Sequence, residues 1–258
     1  MSRVVTALAL IPAVCWVIFA APFAVFWLVV AALALLCYRE FSRLAARHGL
    51  LTMPLAGGVV GLLWLAQLGR NMAYLPVLAA MAGLALALRA EDLRQSLGSG
   101  AAFVLGIFYI FGAWSTALDL RAENVHWLFF AVALNWVGDI SAFYAGRAFG
   151  RHKLAPRVSP AKSWEGAIAS TLASLVLGVL YLGWALPEVP LWLRLLAAAG
   201  GNIAGQIGDL AESALKRGAG VKDSGHMLPG HGGWLDRLDS TLFSMPVVAA
   251  IRSLATQT

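Results

Sequence analysis

The sequence predicts an all-α, polytopic membrane protein with about nine transmembrane helices. Of its 258 residues, 60% are hydrophobic and only 12% are charged, whereas about 25% are charged in a typical soluble domain. Apolar runs of about 17–25 residues, the length that crosses a bilayer as a helix, follow one another along the chain. The predicted spans are 4–20, 22–38, 54–68, 72–88, 101–118, 127–145, 166–186, 191–210 and 240–256.

Lysine and arginine residues predict the orientation of these spans. If the N-terminus is inside, 15 of the 19 basic residues lie at the N-terminus or in inside loops, and the outside keeps only Arg70, Arg121, Arg194 and Arg252. Because cytoplasmic loops carry the excess of basic residues, this bias predicts a cytoplasmic N-terminus. The basic residues cluster beside spans, so the net charge of +6 does not indicate nucleic-acid binding.

The chain is predicted to divide into a scaffold and a catalytic region. Residues 1–126 are apolar spans, and residues 127–258 carry two polar loops, 146–165 and 211–239, both on the predicted cytoplasmic side. Segment 39–50 is basic and amphipathic, which favours an interfacial helix extension that contacts anionic headgroups; the alternative is a direct substrate role. Cys15 and Cys37 lie in apolar runs and are predicted to be small core residues.

A polar stripe marks the eighth span. Asn202, Gln206, Asp209, Ser213 and Lys216 step by four, three, four and three, which places all five on one face of a helix. Polar side chains in a membrane span require water, metal or partner helices. The stripe therefore predicts a hydrated cavity that opens to the cytoplasm. On the same span, Gly201 and Gly205 have the spacing of close helix packing.

Three carboxylates are predicted to bind metal. Asp236 and Asp239 are three residues apart and share a face if a helix begins there. Together with Asp209 they offer hard oxygen ligands for Mg²⁺, with a second cation as a further option. The alternative is an ion-pair network with neighbouring lysine and arginine side chains. The glycine-rich segment between 218 and 233 exposes backbone N–H groups that attract anions.

The other polar loop precedes the seventh span. Pro160 favours an extended Ser159, and Ser163 is a candidate cap whose helix would present first-turn N–H groups to a phosphate. Lys162 supplies a point charge. Glu165 is predicted to orient a base or a metal-bound water, or simply to favour the helix N-terminus. The alternative for the whole loop is an ordinary helix cap with a basic flank.

One carboxylate, Asp139, lies near the end of the sixth span. An intramembrane carboxylate indicates function because its desolvation is costly. The alternative is a purely structural pair with Arg147 or another basic residue. Asn135 lies one turn earlier on the same helical face.

Residues 213–239 resemble the signature of phosphatidate cytidylyltransferases. They read Ser-x-Leu-Lys-Arg-x4-Lys-Asp-x4-Leu-Pro-x-His-Gly-Gly-x-Leu-Asp-Arg-Leu-Asp, with no departure from that signature over 27 residues. The segment Ser-Pro-Ala-Lys-Ser-Trp-Glu-Gly at 159–166 resembles the second polar loop of the same family. The resemblance covers roughly residues 135–240, and the N-terminal half matches only in being hydrophobic.

The resemblance implies transfer of CMP from CTP to phosphatidate at the cytoplasmic face of a bacterial-type inner membrane, giving CDP-diacylglycerol and pyrophosphate. It implies an Mg²⁺-dependent enzyme and a homodimer. The implied catalytic residues are Asp209, Lys216, Asp236 and Asp239. The implied substrate-binding residues are Asp139, Ser159, Lys162, Glu165, Arg217, Lys222, Asp223, His231 and Arg237. For His231 the alternative is that it only stabilises the turn between its glycines.

Two other classes of membrane protein remain as alternatives. Another Mg²⁺-dependent phosphotransferase or prenyltransferase also uses Asp-x-x-Asp, but such enzymes usually have a second Asp-rich motif that this sequence lacks. A cation-coupled transporter uses midspan carboxylates. The absence of an internal repeat and the long glycine-rich loop argue against a transporter.

Overall fold

The computed structural model describes residues 2–68, 74–227 and 232–254; for residues 2–10, 67 and 68 it describes the backbone alone. Within these ranges the chain is helical apart from loops and one antiparallel pair of short strands, β1 (Lys153–Ala155) and β2 (Ser159–Ser163). The helices are α1 (Ser2–Phe19), α2 (Phe23–Arg47), α3 (Pro54–Leu63), α4 (Leu75–Ala87), α5 (Leu93–Glu123), α6 (Val125–Phe149), α7 (Trp164–Ala185), α8 (Leu191–Gly218) and α9 (Leu235–Ser253).

In the described part of the chain, three π-helical turns interrupt this pattern. One follows α3 (Trp64–Leu68), and two lie inside α5 (Ile107–Gly112) and α7 (Gly178–Leu182). Since the helix continues on both sides of the turns in α5 and α7, each remains one long element.

Every predicted span overlaps one helix of the described chain. Among the helices of the described residues, four (α2, α5, α6 and α7) are long and apolar enough to cross a membrane by length and composition, and α3 and α4 are shorter apolar helices. The prediction of an all-α membrane protein is thus confirmed at this level. The count of nine spans and the cytoplasmic N-terminus remain predictions.

Packing divides the chain into two compact units. The first unit comprises Met1–Ala13, Ala21–Ser115 and Leu215–Arg237, and the second comprises Val14–Ala20, Thr116–Ala214 and Leu238–Thr258. The predicted division into residues 1–126 and 127–258 is a division by function, which the packing does not test.

In the first unit, α2 extends as one helix into the predicted amphipathic segment 39–50 and ends at Arg47. Phe41 and Leu44 are buried, whereas Arg39, Arg43 and Arg47 are exposed. The amphipathic pattern is therefore confirmed, and contact with headgroups remains a prediction.

In the second unit, glycines bring α8 close to α6 and α9. A Cβ at Gly201 would lie 2.8 Å from Val248 and 3.0 Å from Leu134. A Cβ at Gly205 would overlap the amide oxygen of Asn135, and one at Gly208 would lie 2.7 Å from the backbone oxygen of Asp239. The prediction that small residues permit close packing of this helix is confirmed.

We expect Gly208→Ala to destabilise the protein by about 1–3 kcal/mol, because the added methyl meets a backbone oxygen that cannot rotate away. Gly112→Ala is the matched control: apart from its own stretch of helix, no atom lies within 4 Å of a Cβ built there, so only the higher helix propensity of alanine acts. Thermal unfolding in detergent would show a lower Tm for the first variant alone. Equal Tm values for both variants would contradict the packing argument.

Candidate functional site

The β1–β2 hairpin lies within the predicted polar loop 146–165 and leads directly into α7. Ser163 is extended, with φ −126° and ψ 156°, and its Oγ accepts a hydrogen bond from the Gly166 N–H at 3.2 Å. The predicted cap is therefore confirmed, and Ser159 lies in β2 as its extended backbone requires. This cap fixes the end of β2, the strand that carries Lys162.

Lys162 and Asp209 form an ion pair in the second unit. The Lys162 Nζ lies 2.5 Å from the Asp209 Oδ2, and the two side chains are 28% and 34% exposed. Ser213 donates a longer hydrogen bond of 3.4 Å to the Asp209 Oδ1. The Asp209 carboxylate thus joins the hairpin to α8 and keeps oxygen surface open.

A cavity of about 420 Å³ contains this pair. It lies among α6, α7, α8 and the hairpin, and the charged side chains along its wall are Asp139, Arg147, Lys162 and Asp209. Its size is that of a small-molecule site. The predicted stripe contributes Asn202, Gln206 and Asp209 to the same cavity.

Partner helices satisfy the amides of the stripe. Asn202 Nδ2 donates to Ser170 Oγ at 3.0 Å, and Gln206 Nε2 lies 3.2 Å from both the Ala167 carbonyl oxygen and the Thr171 Oγ1, which accept from it. Asn135, which is 5% exposed, donates to Ser244 Oγ at 2.8 Å. Polar side chains in an apolar surrounding need hydrogen-bond partners. Here the neighbouring helices provide these partners and so stabilise the polar wall of the cavity.

A second lysine–carboxylate pair lies in the first unit. The Lys216 Nζ is 2.6 Å from the Asp236 Oδ1, and these side chains are only 11% and 6% exposed. The Asp236 Oδ2 accepts hydrogen bonds from the Ser224 N–H at 2.9 Å, the Ser224 hydroxyl at 3.0 Å and the Gly233 N–H at 2.8 Å. The carboxylate is therefore held between the end of α8 and the start of α9.

The electrostatics of this pair favour the ionised carboxylate. Burial raises the pKa of Asp236, but the Lys216 hydrogen bond and charge and the N–H groups of Gly233 and Ser224 together outweigh it, so the pKa lies below its ordinary value. Asp236 is consequently negative at neutral pH. Its charge is balanced mainly by Lys216.

Sequence reasoning missed one residue of this cluster, Glu40. Its side chain is fully buried, and its carboxylate accepts hydrogen bonds from Ser224, Trp234 and Leu235. The residue was included in the basic segment 39–50. A signal was nevertheless present, because Glu40 is three residues after Cys37 and four before Leu44, and so shares their buried face.

The remaining predicted site residues belong to neither lysine–carboxylate pair. Glu165 accepts hydrogen bonds from the ring and the backbone N–H of His152, at 2.7 Å and 3.2 Å, and so ties the start of β1 to α7. Asp239 is buried, and its Oδ1 accepts from the Ser240 N–H at 2.7 Å. The exposed ones are Asp139, Arg217, Lys222, Asp223 and Arg237. His231 lies outside the described residues.

The predicted metal ligands are carboxylates with different environments. In the described part of the chain, no three His, Cys, Asp or Glu side chains gather in a metal-binding arrangement. Asp209 keeps open oxygen surface on the cavity wall, whereas the Asp236 Oδ2 already receives three donors. The metal assignment remains a prediction.

Relatives of this chain carry the name phosphatidate cytidylyltransferase. The protein of that name from Staphylococcus saprophyticus is 38% identical over 155 residues, as is that from Staphylococcus haemolyticus, and that from Staphylococcus aureus is 36% identical over the same length. In each case the matched segment spans 60% of this chain and 60% of the relative.

A match to a protein family extends over almost the whole chain. The model of the family described as "Cytidylyltransferase family" matches residues 1–255. This range includes both lysine–carboxylate pairs and Glu40. The chain therefore belongs to the cytidylyltransferase family.

Proposed function

We propose that this protein transfers CMP from CTP to phosphatidate, giving CDP-diacylglycerol and pyrophosphate. The observation that carries the proposal is the buried Lys216–Asp236 pair, which the backbone of the signature segment holds in place. The family membership and the printed names of the relatives support the same reaction.

The chemistry requires little proton transfer. A phosphate oxygen of phosphatidate attacks the α-phosphorus of CTP, the bond to the β-phosphate oxygen breaks, and pyrophosphate leaves. The nucleophile is already anionic at neutral pH. The protein must therefore reduce the repulsion between two polyanions and hold them in line.

Lys216 is proposed to contact the CTP phosphates. Its ammonium group carries the positive charge that pairs with phosphate oxygens, and it also donates a hydrogen bond to the Asp236 Oδ1 at 2.6 Å. Arg217, Lys222 and Arg237 are exposed around the same segment and are proposed to attract the nucleotide by their charge. Asp223 and His231 are proposed as further contacts to CTP.

The cavity of the second unit is proposed to bind the phosphatidate headgroup. Lys162 and Arg147 supply positive charge on its wall, and Ser159 lies in the adjoining strand. Two of the helices that form the cavity, α6 and α7, are long and apolar enough to cross a membrane. The acyl chains would then remain in lipid while the phosphate enters the polar cavity. In this arrangement Glu165 orients the hairpin through His152.

Mg²⁺ is proposed as the cofactor, with a second cation as an option. Asp209, Asp236 and Asp239 each offer the hard oxygen ligands that Mg²⁺ prefers, and Asp209 has the most open oxygen surface among them. When bound, the ion would neutralise phosphate charge. Asp139 lies on the cavity wall and is proposed as a further residue of the headgroup-binding site.

The proposed location is a bacterial-type cytoplasmic membrane. The proposed topology has nine spans and a cytoplasmic N-terminus, and the site faces the cytoplasm. A homodimer is expected from the family resemblance. Single cysteines at Ser159 and at the exposed His226 should react with impermeant reagents from the cytoplasmic side only, and one at Glu188 from the opposite side only. Labelling of positions 159 and 226 from opposite faces would refute this topology.

Purified protein with labelled CTP tests the function. With phosphatidate present, α-³²P label should enter extractable lipid and γ-³²P label should leave as pyrophosphate. With diacylglycerol in place of phosphatidate, neither label should enter lipid. Transfer of the γ-label to lipid would instead indicate a phosphotransferase, and no transfer of either label under any condition would refute the proposal.

A further inference from the structure

We infer that Glu40 is a positioning residue of the nucleotidyl-transfer site, which sets the geometry of Asp236 by holding the start of α9. The expected effect of Glu40 on catalysis rests on the proposed function. The geometric part of the inference rests only on contacts within the first unit. Glu40 comes from the part of the chain whose spans look like scaffold. Its side chain is 0% exposed, so it acts through its neighbours and does not touch substrate.

The carboxylate of Glu40 uses both oxygens. Its Oε1 accepts from the Trp234 N–H at 3.1 Å, and its Oε2 accepts from the Leu235 N–H at 2.9 Å and the Ser224 hydroxyl at 2.8 Å. These amides open α9, where the helix dipole favours negative charge.

Two glycines leave room for the carboxylate. A Cβ at Gly225 would lie 2.5 Å from the Glu40 Oε1, and a Cβ at Gly233 would overlap the Oε2. Both glycines are buried. The signature segment therefore closes around Glu40, and no larger residue fits at either glycine without moving it.

The donors of this segment are divided between two carboxylates. Of three consecutive N–H groups, that of Gly233 goes to Asp236, and those of Trp234 and Leu235 go to Glu40. The Ser224 hydroxyl lies within hydrogen-bond distance of both, 2.8 Å from the Glu40 Oε2 and 3.0 Å from the Asp236 Oδ2. A change at Glu40 therefore shifts the donors that fix Asp236, and through Asp236 the position of Lys216.

Glu40→Gln tests this role. The amide replaces one oxygen by an N–H donor, so at least one donor of the segment loses its acceptor. Glu91→Gln, the same change at an exposed residue of the first unit, is the control. Ser224→Ala is the second variant, because it removes only the shared hydroxyl and leaves both carboxylates.

Two measurements separate positioning from a general structural effect. Amide hydrogen exchange should rise in peptides that cover 232–240 and stay at the wild-type level in peptides from α6 (Val125–Phe149). In steady-state assays, kcat/KM for CTP should fall about tenfold or more. The KM for phosphatidate should stay within about twofold of wild type. Glu91→Gln should match wild type in both measurements.

Other results would overturn the inference. The first is that Glu40→Gln leaves both amide hydrogen exchange and kcat/KM for CTP unchanged. The second is that Glu40→Gln increases exchange throughout the protein and lowers kcat/KM equally for CTP and for phosphatidate. If Glu40→Gln does not fold, Ser224→Ala decides by the same criteria. The failure of the proposed function is distinct, because wild-type protein would then convert no CTP, while the exchange experiment would still test whether Glu40 holds α9.

Discussion

Asp236→Asn is expected to lower kcat/KM for CTP by about 100-fold or more while the protein stays folded. The change removes the negative charge that balances Lys216, whose side chain is only 11% exposed. It also replaces a carboxylate oxygen by an amide nitrogen in a site where four donors converge. In either orientation of the amide, at least one of these donors loses its acceptor.

Assays with labelled CTP and a Tm in detergent measure the two parts of this prediction. Glu188→Gln, which neutralises an exposed carboxylate outside both lysine pairs, should leave activity and Tm unchanged. Removing one partner of a buried pair costs stability as well, so a lower Tm is expected for Asp236→Asn. Wild-type turnover in a folded Asp236→Asn protein would remove Asp236 from the site.

The helices were predictable because each contains a run of apolar residues, and in an apolar surrounding a helix satisfies its own backbone N–H and C=O groups by internal hydrogen bonds. Each of the nine predicted runs overlaps a helix of the described chain. The continuation of α2 and α8 beyond their apolar parts, to Arg47 and Gly218, agrees with the predicted helix extension in segment 39–50 and with the helical spacing of the stripe that ends at Lys216. Charged residues end a membrane span by composition, but they do not end a helix.

The features of the site that depend on the spacing of residues close together in the sequence were predictable. The cap by Ser163, the stripe on α8 and the close approach at Gly201 follow from patterns within a few residues. The pairing of Lys162 with Asp209 does not, because it depends on how the hairpin and α8 pack. Glu40 is the clearest case: its partners lie more than 180 residues away along the chain, and only the fold brings them together.

The two lysine pairs predict different kinetic defects. Lys216→Ala should lower kcat/KM for CTP by about 100-fold, because it removes the phosphate contact and strands the Asp236 charge, which is 6% exposed. Lys162→Ala should mainly raise the KM for phosphatidate, by about tenfold. The smaller effect is expected because Lys162 and Asp209 are 28% and 34% exposed, and water replaces part of the lost interaction.

Arginine at each position sharpens the distinction. Lys162→Arg should retain much of the activity, because an exposed guanidinium still offers charge to a phosphate. Lys216→Arg should be nearly as defective as Lys216→Ala, since a larger planar group does not fit a site with 11% exposure. Kinetics with each substrate varied in turn would measure both.

The double alanine variant tests whether the two lysines serve one substrate. If Lys216 contacts CTP and Lys162 contacts phosphatidate, each variant should change the KM for its own substrate, and the two losses should multiply in the double variant. A double loss well below that product would mean that both lysines act on the same bound CTP. Near-normal kinetics in both single variants would mean that these lysines only contribute to the basic bias of the cytoplasmic loops, and the assignment of either lysine to a phosphate would then be wrong.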